Sequence, residues 1–527
     1  MAKTAFDIIL IAGDAFADHP LNGAGLLKRF MEAHGFSMGV IAKPDWKGDA
    51  DFQKLGRPRL CFGITSGPVD SMLRNYTHLK RDRREDPNAP QDSGMPDRAV
   101  TVYANKVRQL FPGSRMVLGG VEASLRRFSH YDFWSNRVRG PILADTRADI
   151  LVYGPGEYPL LEIARRLRAD PAADLAGIPS TCVMAKIVPE GFTLLPSHAE
   201  AAADPAAFCR LQAGFTNAAC LAQQFQDRFM LQFKGRDTTP AEMDAVYDLP
   251  FTREIPPEAA DLAMARFSVV LHRGCLGGCH FCSLALLEGG RIVSRSEDSI
   301  VNEITRMTRH PEWKGFVDDL GGPSANMYGM DCACGRTDDP RRDCLTCPNL
   351  DRTNGRLIAL MERVRTIPGV KKAFIRSGIR FDLASDAYLA ALSAHHVSGT
   401  LKIAPEHFSR RVLACMHKDC GDFDAFRARF AALNSATGQE LKYYLMVAHP
   451  GEEESDLQLL RRKVTSLHNT ESVQVFIPLP MTVSACMFHT GRDPFTLQPV
   501  SVVRTFHEKK RRLHLITEET RKGYRRR

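Results

Sequence analysis

The chain has 527 residues, a net charge of +9, 44% hydrophobic and 25% charged residues, the balance of an ordinary globular protein with room for about two to four domains. No stretch approaches the ~18 uninterrupted apolar residues of a membrane span. Met1 to Thr4 lead into a short apolar strand with no signal-like core, so a cytoplasmic protein without a membrane partner is expected. Fourteen cysteines in such a chain point to metal and thiol chemistry in a reducing compartment and away from a disulfide-stapled secreted fold.

The first portion alternates strands and helices. Apolar runs predict strands at Ile8 to Ala12, Met38 to Ala42, Leu60 to Thr65, Met116 to Leu118 and Ile150 to Tyr153. Helical patterns fall at Gly23 to His34, Val102 to Phe111 and Pro155 to Leu167. Such alternation argues an α/β, doubly wound parallel sheet, here assigned to residues 1–195. Several of these strands end in glycine or acidic loops, where open sheets form ligand crevices. The polar stretch from Arg81 to Pro96 reads as a long loop. Residues 196–250 are alanine- and proline-rich and read as a connecting segment with helical pieces such as Asn217 to Phe233.

A second βα series follows over 251–500. Its strands are expected at Phe267 to Leu271, Phe316 to Leu320, Ala373 to Arg376, Thr400 to Ala404, Tyr443 to Val447 and Val473 to Pro478. Five helical patterns separate them, at Asp298 to Arg309, Asn354 to Thr366, Ser385 to His395, Phe423 to Ala436 and Glu453 to His468. This reads as a partial (β/α) barrel, with function at the carboxyl ends of its strands.

Seven of the fourteen cysteines lie between Cys275 and Cys347. Directly after the first barrel strand, HRGCLGGCHFC places Cys275, Cys279 and Cys282 in CxxxCxxC spacing, with Phe281 before the last. Three thiolates this close can hold three corners of a cubane iron–sulfur cluster and leave one iron open, whereas electron-transfer clusters take four. Zinc completed by His272 or His280, or plain buried thiols, are the other readings. A second group, Cys332, Cys334, Cys344 and Cys347, forms CxC and CxxC within the polar insertion 331–348. Four thiolates there suit either structural zinc or an auxiliary iron–sulfur cluster.

The cysteine loop resembles that of the radical S-adenosylmethionine (radical SAM) superfamily. Further stretches resemble the narrower YgiQ family, radical SAM proteins of unassigned substrate with a domain shaped like a cobalamin-binding domain. They are AGDAFADHPLNGAG (Ala12 to Gly25), GGVEASLRRFSHYDFW (Gly119 to Trp134), DDLGGPSANMYGM (Asp318 to Met330), LKIAPEH (Leu401 to His407) and YYLMVAHPGE (Tyr443 to Glu452). The resemblance implies that Cys275, Cys279 and Cys282 ligate a [4Fe–4S] cluster whose open iron binds SAM. One electron then breaks a sulfonium C–S bond and releases a 5′-deoxyadenosyl radical to take hydrogen from a substrate it leaves unidentified. A reductant such as flavodoxin or ferredoxin is expected.

Phe281 would lie against adenine. Gly321 and Gly322 stand where a GGE motif would bind the SAM amino group, but Pro323 replaces the acid and leaves backbone carbonyls. Arg376, Ser377 and Glu406 stand where SAM carboxylate or ribose contacts are expected. The usual cobalamin DxHxxG is replaced by Asp18-His19-Pro20-Leu21-Asn22-Gly23, spacing that speaks against a tightly bound cobalamin. Methyl or methylthio transfer, using cobalamin or an auxiliary cluster, is the second expectation. A third is a non-catalytic metal scaffold with a nucleic-acid-binding tail. From Arg504 to Arg527 ten Lys or Arg face three Glu, so residues 501–527 read as a basic tail, either a solvated helical end or a binder of nucleic acid.

Overall fold

The computed structural model describes residues 5–85, 94–215, 220–334, 343–418, 420–435, 437–467 and 469–525. Much of the expected loop from Arg81 to Pro96, most of the polar part of the 331–348 insertion, and the last two arginines therefore lie outside the described residues.

The N-terminal half is built on one nine-stranded sheet. Strands β1 (Ile8–Ala12), β2 (Met38–Ala42), β3 (Cys61–Thr65), β4 (Arg115–Leu118) and β5 (Ile150–Val152) are parallel in the order β2-β1-β3-β4-β5. Helices α1 (Gly23–Ala33), α2 (Ala99–Leu110) and α3 (Glu157–Ala169) connect or follow them. The apolar runs are continuous because both faces of the sheet are covered. Ile9 and Ile11 pack with Val100, Tyr103 and Val107 of α2, while Ile8 and Leu10 pack with Phe30 of α1 and Leu160 of α3, the period-two split of a strand.

The sheet does not stop at residue 195. Strands β6 (Thr181–Ala185), β7 (Thr193–Leu195), β8 (Leu221–Phe225) and β9 (Arg228–Gln232) extend it in the order β6-β9-β8-β7. The helix expected over Asn217 to Phe233 is thus a β-hairpin, with residues 217–219 outside the described residues. Two buried glutamines explain the misreading. Gln223 Oε1 accepts from Ser129 N (2.9 Å) and Gln232 Oε1 from Arg127 Nε (2.7 Å). Their amides fill inward strand positions where an apolar residue is expected, and their partners lie about a hundred residues away.

The second unit is an open parallel barrel. Its strands are β10 (Ser268–Val270), β11 (Phe316–Val317) running on into β12 (Asp319–Gly321), β13 (Lys372–Ala373), β14 (Thr400–Glu406), β15 (Glu440–Val447) and β16 (Thr470–Val475). β10 pairs with β12, β11 with β13, and β14-β15-β16 form a sheet, all parallel. A parallel bridge from Ile379 to Ile403 joins the two sets. The five expected helices form within a few residues of their predicted bounds, at Glu297–Met307, Gly355–Arg365, Asp386–His395, Phe423–Leu433 and Glu454–Val464.

The units share an apolar core: Val412, Met416, Met446, Phe476, Met481 and Phe488 belong to the same buried cluster as Ile9, Phe62 and Phe128. The basic end of the chain forms the helix Phe506–Arg525 and packs on this joint. Lys509 is fully buried, its Nζ 4.8 Å from the Phe133 ring centre and 4.7 Å from that of Phe488. Arg512 bonds Glu452 (2.5 Å), and Arg511 pairs with Glu454 and Glu508. Part of the positive charge expected at the surface is therefore used inside the chain.

Candidate cluster and cofactor site

The cysteine loop leaves the carboxyl end of β10 through a short bridge, His272–Arg273 against Val293–Ser294. Gly274 has φ +89°, and a Cβ there would stand 1.6 Å from the Arg291 carbonyl oxygen, so the turn admits only glycine. Backbone bonds then shape the loop. Cys275 N donates to Gly289 O (3.0 Å), His280 N to Met416 O (2.9 Å) and Cys282 N to Cys279 O (3.0 Å). The sulfurs of Cys275 and Cys279 lie on the same side of Gly277, 3.4 and 3.5 Å from where its Cβ would be, with Arg380 Nη1 2.9 Å from that point.

Arg380 Nη1 stands 4.0 Å from Cys279 Sγ, and its fork is braced by Asp382 at 3.0 and 2.8 Å. Burial pushes the Cys279 thiol up while Lys418 and Arg380 draw it down. Burial pushes Cys282 up to about 11. Three thiol donors beside two cations fit an anionic iron–sulfur cluster, whose charge those cations offset. The zinc alternatives are otherwise placed: His280 Nδ1 is 3.0 Å from Cys415 O and its ring stacks on His417, while His272 lines a cavity.

Phe281 packs edge-on to His449 (6.1 Å), with Lys418 Nζ 5.7 Å from its ring centre. Lys418 pairs with Glu406 (2.9 Å) at the end of β14. Glu406 thus lies near Phe281 but is already held by a cation. At the end of β12, a Cβ on Gly321 would meet Asp319 Oδ2 at 2.5 Å, and one on Gly322 would meet the His272 ring at 2.3 Å. Asp319 ties neighbouring strand ends together by accepting from Arg376 N (2.7 Å) and Ser377 N (3.3 Å). The Arg376 side chain itself is exposed over Phe374.

Gly321, Gly322 and Ser377 line a cavity of about 630 Å³ together with Asp319, Pro323 and His272. Its other walls are the loops after β1, β3, β4 and β5 and the start of α1. In the order β2-β1-β3-β4-β5 the connection reverses between β1 and β3, the crevice position of doubly wound sheets. The carboxyl ends of both units therefore open on one chamber. Sequence alone does not mark Asp319 or His272 as chamber residues: Asp319 sits inside the DDLGG run, and His272 offers only a zinc-ligand reading. The His272 ring is fully buried with neither nitrogen hydrogen-bonded among the described residues, and burial pulls its pKa down to about 4.

His19 does not reach the chamber as a ligand. Its Nδ1 accepts from Leu21 N (3.1 Å), and its Nε2 is engaged by Arg266 O (2.8 Å) and Arg253 Nη1 (3.2 Å). The chamber walls themselves are largely apolar, with Leu26, Leu27, Val121 and Leu160 beside the glycine loops at Gly67, Gly119 and Gly154.

The family model described as "Radical SAM N-terminal" matches residues 1–270, and one described as a domain of unknown function (DUF3362) matches 471–517. A UPF0313 protein of Methanocella arvoryzae is 41% identical over 96% of this chain and 89% of its own length. One from Fusobacterium nucleatum is 37% identical over 98% and 96%. Among solved structures, the radical SAM methyltransferase TsrM from Kitasatospora setae, with cobalamin and a [4Fe–4S] cluster bound, has a TM-score of 0.55 at 14% identity, covering 91% of this chain and 74% of that one. The cobalamin-dependent radical enzyme OxsB has a TM-score of 0.50 at 12% identity, covering 89% and 53%. The likeness to both is one of fold, and the full-length relatives decide the family: the chain belongs to the UPF0313, YgiQ-like family of radical SAM proteins.

Proposed function

We propose that this protein is an enzyme that cleaves SAM at a [4Fe–4S] cluster held by Cys275, Cys279 and Cys282 and acts on a substrate bound in the chamber between sheet and barrel. The observation that carries the reading is the shared chamber. The β12 end, with Gly321 and Gly322, and Ser377 after β13 open onto the crevice of the N-terminal sheet. When bound, the cluster would supply the one electron that breaks the C5′–S bond of SAM, giving methionine and a 5′-deoxyadenosyl radical. The chain's own residues bind and orient. Arg380 and Lys418 offset the charge at Cys279, and Phe281 packs against adenine. The Asp319 carboxylate takes the place of the acid missing at Pro323 and receives the SAM amino group. Ser377 contacts the carboxylate or ribose. His272, neutral at physiological pH, offers one donor and one acceptor to the substrate.

The test is anaerobic reconstitution with iron and sulfide, reduction with SAM, and mass spectrometry of 5′-deoxyadenosine. The wild type forms it and Cys279→Ala does not. Equal nucleoside from both would sink the reading.

A second reading, methyl transfer, is favoured by the chamber's place at the strand reversal and by the likeness of fold to the methyltransferase TsrM. Cobalamin would supply a methyl-carrying metal centre there, packed by the apolar walls without His19. Protein purified from cobalamin-fed cells decides it: retained corrinoid absorbance and S-adenosylhomocysteine as product favour methyl transfer, and their joint absence removes it.

A further inference from the structure

We propose that Cys332, Cys334, Cys344 and Cys347 bind a single zinc ion that clamps their loop to the back of the cluster loop. All four cysteines line one small void of about 20 Å³. Space of that size admits about one water-sized occupant, which suits a single ion. Cys334 comes from the CxC half and Cys347 from the CxxC half, and their sulfurs stand 3.7 Å apart. Zn–S bonds of about 2.3 Å in a tetrahedron place sulfurs about 3.8 Å apart. Asn349 Nδ2 donates to Cys334 Sγ (3.2 Å), the outer-sphere bond that a metal-bound thiolate attracts. Among the described residues no three His, Cys, Asp or Glu side chains yet close on one point. The thiols line the void, and the ion supplies the final convergence.

The other wall of the void gives the site its consequence. Leu276, between Cys275 and Gly277 of the cluster loop, lines it, as do Ile292 and Met330. Leu276, Ile292 and Met330 form a small buried cluster against which both Cys275 and Cys344 pack. Zinc at the four thiols would therefore hold the loop against the reverse side of a cluster ligand.

The experiment uses the full chain from zinc-replete cells. Metal analysis is made of the wild type, of Cys334→Ser and Cys347→Ser, and of a cluster-less variant carrying Cys275→Ala, Cys279→Ala and Cys282→Ala. About one zinc per chain is expected in the wild type and in the cluster-less variant, and under a tenth of that in each serine variant. Cobalt exchange into the cluster-less variant should give the charge-transfer absorption of a tetrathiolate. This outcome is independent of SAM cleavage, so it stands or falls apart from the catalytic reading. Absence of zinc in the cluster-less variant would overturn the proposal. So would iron and sulfide in cluster proportion there, which would mark an auxiliary cluster.

Discussion

The two cysteine groups sit back to back against Leu276, yet they are held by different means. Around Cys275, Cys279 and Cys282 the protein supplies the frame: a glycine turn with no room for a side chain, backbone bonds to Gly289 and Met416, and a guanidinium braced by Asp382. At Cys344 to Cys347 the backbone bonds are single-turn ones, from Thr346 N to Asp343 O and Cys347 N to Cys344 O, and the two halves meet through sulfur. The first loop is framed by backbone and guanidinium contacts, whereas the halves of the second are joined through their thiols. A loop that must leave one iron open gains from rigid ligands, whereas a structural site needs only four thiols within reach.

The sharpest way to break this contrast is Gly274→Ala. A Cβ at φ +89° and 1.6 Å from a carbonyl oxygen should cost more than about 3 kcal/mol. Urea unfolding and iron loading should both fall, and unchanged loading would show that the frame is not rigid. Gly322→Ala drives a methyl into the His272 ring and should cost about 1–3 kcal/mol. The double variant with His272→Ala should recover part of that loss, a coupling a double-mutant cycle reads directly.

Acid provides the third probe. Burial holds His272 down at about 4 and His449 and His130 at about 3, below the unfolded value of about 6.5. The unfolded chain then binds more protons, so stability is full above pH ~6.5 and falls as pH drops towards 4, by at most about 1.4 kcal/mol per pH unit for each histidine. Glu452, pushed up to about 7 by burial, runs the opposite way and offsets one of them. Denaturation midpoints at pH 7.5 and 5.5 check the net sign. The smallest effect is expected at the second loop. Cys347→Ser should expose residues near 331–350 to protease while the global unfolding free energy moves by no more than about 1 kcal/mol.

Much of this architecture is legible in the chain because both units announce themselves by βα alternation, and because CxxxCxxC encodes a metal geometry over only eight positions. What was hidden depends on distant partners. The β8–β9 hairpin reads as polar because Gln223 and Gln232 are satisfied from the loop at Arg127 to Ser129. Lys509 looks like one more surface charge until the fold places it between Phe133 and Phe488. Arg376, Ser377 and Glu406 read alike as strand-end polar residues, yet only Ser377 lines the chamber, while Glu406 is held by Lys418. Asp319 gains its place only once strands β12 and β13 lie side by side.

The apolar cluster common to the two units has a further consequence for modularity. Met446 and Phe476 of the barrel, and Phe488 beyond it, are buried in the same mass as Ile9 and Phe62 of the sheet. A cut near residue 250 would not release two domains but two fragments, each with a raw hydrophobic face. The halves are therefore not parts that recombination can trade independently, and a foreign barrel grafted onto this sheet would have to bring the matching patch with it.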